Sequence, residues 1–191
     1  MPPGGRVLAV GCEALASLSA ADLHAVHPFR PAHDALSAAG VCCAPDFASL
    51  PRVAFDAGVV ALPRSRDRAK AWIAATVDRL APGGWLIVDG ERTDGIDAMH
   101  KALRTRLGAY GSVTKAHGRL IWGQPAATDF ADWRAAPAAA EGYRTAPGVF
   151  SADHVDPGSR ALAAALPPLA GRVADLGAGW GYLSAMILAA V

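Results

Sequence analysis

The sequence lacks the features that mark several classes of protein. Its 191 residues carry 18 lysines and arginines against 17 aspartates and glutamates, so the formal net charge is only +1. Such a balance creates no global field that would attract nucleic acid or an anionic membrane. Any contact with RNA must therefore come from a local patch of charge.

Cysteines and targeting signals are scarce as well. The three cysteines, Cys12, Cys42 and Cys43, do not form a disulfide framework, and we interpret the adjacent pair as small apolar residues in a reduced compartment. The first residues, MPPGGRVLAVG, lack the charged and long apolar regions of a secretory signal. No stretch approaches the roughly 20 uncharged apolar residues of a membrane span. We therefore expect a cytoplasmic chain without a membrane partner.

Apolar residues, by contrast, are abundant, at 52% of the chain, and their pattern predicts an α/β fold. Continuous apolar runs predict buried strands at Arg6–Gly11, Asp56–Pro63 and Gly84–Gly90. Between them, periodic apolar stripes predict one helix that ends at Pro82-Gly83-Gly84 and another from Gly95 to Gly111. Two short strands follow, joined near His117-Gly118. This order predicts a doubly wound, mostly parallel sheet with a C-terminal hairpin.

After this sheet, residues 125–146 are rich in alanine and proline, which predicts a connector. We expect its aromatic residues Phe130 and Trp133 to pack rather than to stack on bases. A repeat then links the two ends of the chain, because RVLAVGCEALASL from Arg6 aligns with RVADLGAGWGYLS from Arg172. The alignment predicts a second strand at residues 172–176, followed by a helix.

The second copy contains a glycine-rich turn, DLGAGWG, between this strand and helix. Gly177, Gly179 and Gly181 would let the backbone approach a ligand, and the helix would point free N–H groups at the same place. The carboxylate of Asp175 suits an ammonium group better than a phosphate, which favours S-adenosylmethionine over a dinucleotide. The spacing Gly-x-Gly-x-Gly also differs from the dinucleotide fingerprint. A tight strand–helix junction without a ligand is the structural alternative.

A second motif, PGVFSADHVDPGSRALAAALPPL, precedes the glycine turn. Asp156 and Pro157 have the residue types of a helix cap and a first helical position. The segment could lie across the mouth of the turn, or it could be an ordinary capped connector helix.

Together these motifs resemble the class I S-adenosylmethionine-dependent methyltransferases, and more narrowly the two-domain family that modifies guanine N2 in small-subunit ribosomal RNA. The resemblance implies a degenerate methyltransferase-like domain at residues 1–124, a connector at 125–146, and the start of a catalytic domain at 147–191. It also implies that Asp175, Gly177, Gly179 and Gly181 hold S-adenosylmethionine. Phe150 and Ser151 would lie near the methionine end of this cofactor.

Two features of the family have no position in this sequence. The acidic residue that holds the cofactor ribose and the catalytic Asn-Pro-Pro-Phe-type tetrapeptide would both fall beyond Val191. The first copy has Ala61-Leu62-Pro63-Arg64 at the equivalent place, which cannot align a guanine amine. We therefore expect a chain truncated early in its catalytic domain, without catalytic residues of its own and inactive alone. The strand at 172–176 would lack partners in its own domain, so self-association through it is a further expectation.

Other candidate sites are weaker. His24, His27 and His33 lie near Cys42 and Cys43, but their spacing fits no standard zinc site, and we expect no metal. Basic residues form two clusters that could contact ribosomal RNA or the ribosomal subunit. The first cluster contains Arg64, Arg66, Arg68 and Lys70, and the second contains Lys101, Arg104, Arg106, Lys115 and Arg119.

Two other functions remain as alternatives. One is a non-catalytic RNA- or protein-binding module with a vestigial methyltransferase fold. The other, an NAD-dependent oxidoreductase, is disfavoured by Asp175 and by the glycine spacing.

Overall fold

The chain divides into two compact units. The computed structural model describes residues 5–15, 22–134 and 138–190. Unit 1 comprises Met1–Arg134 and unit 2 comprises Ala135–Val191. In the part of the chain that the structure describes, no helix is both long and apolar enough to cross a membrane.

Unit 1 contains a mixed sheet of seven strands within its described residues. They are β1 (Arg6–Val10), β2 (Asp22–Val26), β3 (Cys42–Ala44), β4 (Phe55–Ala61), β5 (Leu80–Glu91), β6 (Leu107–Lys115) and β7 (Gly118–Pro125). Their order across the sheet is β3-β2-β1-β4-β5-β7-β6. The first five strands are parallel, and β7 joins β5 and β6 in antiparallel register. The predicted α/β class, with its mostly parallel sheet and C-terminal hairpin, is confirmed.

Helices cover both faces of this sheet. Strand β1 is apolar on both sides, and its residues are buried against helices on both. The helices of unit 1 are α1 (Arg30–Ala38), α2 (Arg66–Val77) and α3 (Ile96–Leu103). Leu8 and Val10 join a cluster with Ile73 of α2, whereas Ala9 joins another with Leu36 of α1. Alternate residues of a strand point to opposite faces, so a continuous apolar run is buried twice.

Helix α2 packs unusually close to the sheet. Its first turn is capped by the hydroxyl of Ser65, which accepts a hydrogen bond from the Arg68 amide at 3.3 Å. Thr76, which is fully buried, lies over Gly58 of β4, where a Cβ would come within 2.2 Å of the threonine methyl. Glycine at this position therefore lets the helix approach the backbone of the strand.

The structure of unit 1 differs from the predicted elements in three places. The helix predicted to end at Pro82-Gly83-Gly84 ends at Val77, and those three residues lie inside β5, because the sheet pairing already begins at Leu80. The structure also adds β2 and β3, which the sequence pattern did not reveal because these strands have only five and three residues. It also ends α3 at Leu103, although Leu107 continues the helical spacing. Leu107 is buried from strand β6 instead, so its position in the helical stripe is a coincidence of spacing.

The first part of the predicted connector belongs to the core of unit 1. A 3-10 segment at Ala127–Trp133 buries Phe130 completely and leaves Trp133 only 4% exposed. The two rings pack edge to face, with centroids 5.3 Å apart. The interpretation of both aromatic residues as packing residues is thus confirmed.

Unit 2 contains a short hairpin and two helices in its described residues. These are β8 (Ala138–Ala140), β9 (Tyr143–Thr145), α4 (Pro157–Ala165) and α5 (Tyr182–Ala189). The helix predicted after the glycine turn is present as α5, but the strand predicted at residues 172–176 is absent. A parallel strand needs neighbouring strands to pair with its backbone, and β8 and β9 pair with each other. Self-association through residues 172–176 remains a prediction, and these residues do not form the strand that it would need.

We predict that Phe130→Ala lowers the free energy of unfolding of this chain by about 3–5 kcal/mol, because it leaves a cavity in a closed core. Phe29→Ala serves as the matched control, since Phe29 is 59% exposed. Urea denaturation followed by circular dichroism measures both. Equal losses in the two variants would contradict the packing role of Phe130.

Candidate functional site

The glycine-rich turn of unit 2 has the backbone conformation that its sequence predicts. Gly177, Gly179 and Gly181 all have positive φ, at 79°, 60° and 92°. A Cβ at Gly177 or Gly181 would have no neighbour within 4 Å. Glycine is therefore required here by the left-handed conformation rather than by crowding, and the backbone of the turn stays open to an approaching group.

Helix α5 begins directly after this turn. Gly181 is its N-cap residue and provides no side-chain cap, although its carbonyl accepts the first helical bond, from the Ala185 amide at 2.9 Å. The amides of the first turn have no partners within the helix, and the helix dipole adds partial positive charge there. The turn thus offers backbone donors to an anionic or polar ligand.

Asp175 lies at the start of the turn and is held in place by a residue that the sequence analysis missed. Its Oδ2 accepts a hydrogen bond from the hydroxyl of Ser184 on α5, at 2.8 Å. A carboxylate can accept several hydrogen bonds, so this contact fixes the group without exhausting it. Ser184 follows Asp175 by nine residues, and only the fold of the turn brings the two together.

The segment before α4 contacts the same turn. The indole N–H of Trp180 donates to the carbonyl of Ser151 at 3.1 Å. Ser151 has a positive φ of 49°, and Phe150 beside it is 70% exposed. Asp156 caps α4 by accepting from the Ser159 amide at 2.8 Å, as its sequence position predicts.

A cavity of about 140 Å³ lies between these elements. Phe150, Ser151, Asp175, Gly177 and Gly179 all line it, whereas Gly181, the N-cap residue of α5, does not. The structure therefore brings together five of the six residues predicted to bind the cofactor. Complete ligand pockets measure about 300–1,000 Å³, so the described residues form one part of a site.

Aromatic side chains support this cavity from one side. Trp180 contacts Tyr143 and Tyr182, with ring centroids 5.2 Å and 5.7 Å away. These contacts connect the hairpin of unit 2 to the glycine turn. Apart from the presence of aromatic residues, no sequence pattern predicts these contacts.

In unit 1 the equivalent turn is closed. Gly11 follows β1 with a φ of 69°, but the ring of Trp72 occupies the space in front of it. A Cβ at Gly11 would lie 2.5 Å from Cζ3 of Trp72. The ring of Trp72, from α2, therefore packs against the backbone of this turn.

The histidines weighed as zinc ligands make other contacts. His24 is buried in β2, 2.9 Å from the carboxylate of Asp22 and edge-on to Phe55. Nδ1 of His27 accepts from the Phe29 amide at 3.3 Å. Among the residues that the structure describes, no three histidine, cysteine, aspartate or glutamate side chains are grouped to hold a metal ion.

One residue of the basic clusters has a structural role that the sequence analysis did not anticipate. Arg106 donates to both carboxylate oxygens of Asp132, at 2.7 and 2.9 Å, and to the carbonyl of Asp129. Its guanidinium also lies 4.6 Å from the ring centroid of Trp133. Arg106 thus fastens the 3-10 segment to unit 1 and is a poor phosphate ligand. Arg104, two residues earlier, is exposed.

Comparisons with known proteins show which families and proteins this chain is similar to. Residues 142–191 match the sequence model of the methyltransferase small domain family. A ribosomal RNA small subunit methyltransferase C from Vibrio cholerae is 33% identical over 138 residues, which are 65% of this chain and 39% of that protein. The chain is therefore similar to the ribosomal RNA small-subunit methyltransferases over this length. The resemblance that the sequence motifs indicated is therefore confirmed.

Other relatives agree. The methyltransferase C of Shewanella oneidensis is 31% identical over 143 residues, covering 69% of this chain and 42% of that protein. The chain thus spans about two fifths of the length of the curated methyltransferases it matches. The solved T. thermophilus 16S rRNA N2 G1207 methyltransferase, in complex with AdoMet and guanosine, is similar in fold, with a TM-score of 0.62 and 24% identity. That match covers 85% of this chain and 48% of that one.

The Arg106–Asp132 ion pair leads to a pH-dependent prediction. The hydrogen bonds from Arg106 hold the pKa of Asp132 below its ordinary value. A depressed folded pKa means that the pair stabilises the chain above the unfolded pKa of about 3.9 and is lost as the pH falls through the folded value.

We therefore predict that Asp132→Asn lowers Tm by a constant amount from neutral pH to about pH 5, and that the difference shrinks below about pH 4. Asp129→Asn is the control, because Asp129 contacts Arg106 through its backbone carbonyl. Thermal denaturation across this pH range measures both. A wild-type-to-variant difference that grows on acidification would refute the assignment.

Proposed function

We propose that this protein is an S-adenosylmethionine-dependent methyltransferase that modifies the N2 amine of a guanine in small-subunit ribosomal RNA. The observation that carries the proposal is the cavity of unit 2, in which Asp175 and two left-handed glycines face Phe150 and Ser151. All the residues that line this cavity fall within residues 142–191, which match the methyltransferase small domain. The named relatives supply the substrate class: small-subunit ribosomal RNA.

The residues present fit the methionine end of S-adenosylmethionine. That end carries an ammonium and a carboxylate on one carbon atom. The anchored carboxylate of Asp175 would bind the ammonium, and the open backbone amides at the start of α5 would bind the carboxylate. When bound, the cofactor supplies an activated methyl group. The protein's contribution is to hold it in one orientation.

We further propose that these 191 residues do not transfer the methyl group by themselves. The sequence contains no asparagine, so the Asn-Pro-Pro-Phe-type tetrapeptide of the family has no counterpart in it. At the end of β4 stand Ala61, Leu62, Pro63 and Arg64, which offer no side-chain amide oxygen to a guanine amine. No residue of this chain is therefore assigned a catalytic role.

The partner in this proposal is ribosomal RNA, contacted through the basic residues that remain exposed. Arg64, Arg66, Lys101 and Arg104 are exposed in unit 1, and Lys70 is partly exposed. Their cationic groups can bind backbone phosphates without reading sequence. Cytoplasmic location is part of the same proposal, since it is where ribosomal RNA is found.

A non-catalytic RNA-binding module is the second candidate. It is favoured by one observation: the turn after Gly11 is closed by Trp72. If unit 2 also failed to bind a cofactor, this reading would replace the first.

Calorimetric titration of the 191-residue chain with S-adenosylmethionine tests the proposal. A separate titration with NAD is the control. We predict saturable binding of S-adenosylmethionine alone. Asp175→Ala should weaken it about 10- to 100-fold, the loss expected for a hydrogen-bonded ionic contact.

Asp153→Ala is the matched control, because its carboxylate is 87% exposed in the same unit and does not line the cavity. The control should bind as the wild type does. Binding of NAD in preference, or wild-type affinity in Asp175→Ala, would overturn the proposal.

A further inference from the structure

A second cavity, in unit 1, has charged lining residues that are mostly cations. It measures about 220 Å³ and lies where β4 and β5 end. Its charged lining residues are Arg64, Arg66, Lys70, Arg92 and Asp94. Four cationic side chains thus face one carboxylate, in a chain whose net charge is only +1.

The topology of the sheet explains why these residues meet. Arg64 follows β4 and Arg92 follows β5, and the two strands are parallel neighbours in which Ala61 pairs with Asp89. Parallel strands end at the same edge, which is where open α/β sheets bind their ligands. Arg66 and Lys70 are one turn apart on α2, so both extend from the same face of that helix.

The carboxylates nearby leave the cations available. Nε of Arg64 lies 4.0 Å from Asp94, and its side chain is 87% exposed. Nε of Arg92 lies 3.8 Å from Asp97, and its side chain is 65% exposed. Exposed ion pairs of this length are weak, so a doubly hydrogen-bonding oxyanion can replace them.

The floor of the cavity is buried, whereas the arginines at its rim are exposed. Trp133 lines it from the core, 4% exposed, and its ring centroid lies 5.9 Å from Nζ of Lys70. This contact places the ammonium of Lys70 beside the ring, on the cavity side of α2. A preorganised cation costs less entropy when it binds an anion.

The size of the cavity limits the ligand. At about 220 Å³ it is below the 300–1,000 Å³ of typical small-molecule pockets, which favours a single charged group over a whole nucleotide. The neighbouring half of the edge is closed, because Trp72 fills the space at Gly11. The open part of this edge is therefore the part that follows β4 and β5.

We propose that this cavity, which we call the Arg64–Arg92 pocket, binds a phosphate group of an RNA backbone. The RNA source rests on the proposed function, whereas the anion site itself rests on the geometry. Arginine binds phosphate through paired N–H donors, and two arginines with a lysine form a site that holds the backbone regardless of base sequence. Unit 1 then docks RNA with the edge of its sheet.

Fluorescence anisotropy of a short labelled single-stranded RNA with the 191-residue chain tests the pocket. The variant is Arg64→Gln with Arg92→Gln. Each cation that contacts a phosphate of single-stranded RNA contributes about 0.7 to the slope of log K against log salt. We expect the slope to fall by about 1.4 and the affinity at about 0.1 M salt to fall about 20-fold.

The matched control is Arg52→Gln with Arg144→Gln, which removes the same charge. Arg52 is exposed before β4, at the opposite edge of the sheet, and Arg144 is exposed in unit 2. The control should keep the wild-type slope, and thermal denaturation verifies that both variants fold.

Equal losses in the variant and the control would overturn the pocket, as would no RNA binding by the wild-type chain. Inorganic phosphate serves as a separate probe. If phosphate binds and RNA does not, the site holds a small anion and the inference is wrong. The cofactor titration of Asp175→Ala involves other residues, so failure of either test can be told from failure of the other.

Discussion

The parallel arrangement of β1, β4 and β5 is the constraint on which the rest of unit 1 depends, because it delivers every following turn to one edge of the sheet. What occupies each turn then decides what that edge can do. At the end of β1, the apolar ring of Trp72 packs against the backbone at Gly11. At the ends of β4 and β5, exposed arginines surround a small cavity. The same architecture thus gives a closed half and a cationic half.

In unit 2, a related sequence forms a turn that stays open. Its turn keeps three glycines in left-handed conformations, and their Cβ positions at Gly177 and Gly181 face open space. Ser184 holds the carboxylate of Asp175 at the start of the turn. Comparing the two copies, Glu13 and Leu15 replace Gly179 and Gly181, and a tryptophan closes what the second copy leaves open. We infer that the two units divide the work: RNA docking in unit 1 and cofactor binding in unit 2.

Much of this was predictable from the sequence, and the exceptions have physical reasons. The strands with continuous apolar runs, the hairpin near His117 and the glycine turn were all predicted, because each has a strong local pattern. Strand β2 was not, since its five residues include Asp22 and His24, a pair that is satisfied only in the fold. The strand at 172–176 was expected from its apolar residues but does not form, because a strand forms only where neighbouring strands pair with its backbone. Arg106 and Ser184 were missed for the same reason: their partners lie 26 and 9 residues away.

The central claim is that only the second copy of the repeat binds the cofactor. Hydrogen–deuterium exchange of the 191-residue chain, measured with and without saturating S-adenosylmethionine, tests this directly, because each peptide reports its own backbone amides. The account predicts slower exchange in peptides that contain the glycine turn and the first turn of α5, with no change in peptides around Gly11 and Trp72. Protection around Gly11 and Trp72, with none at the glycine turn, would contradict it.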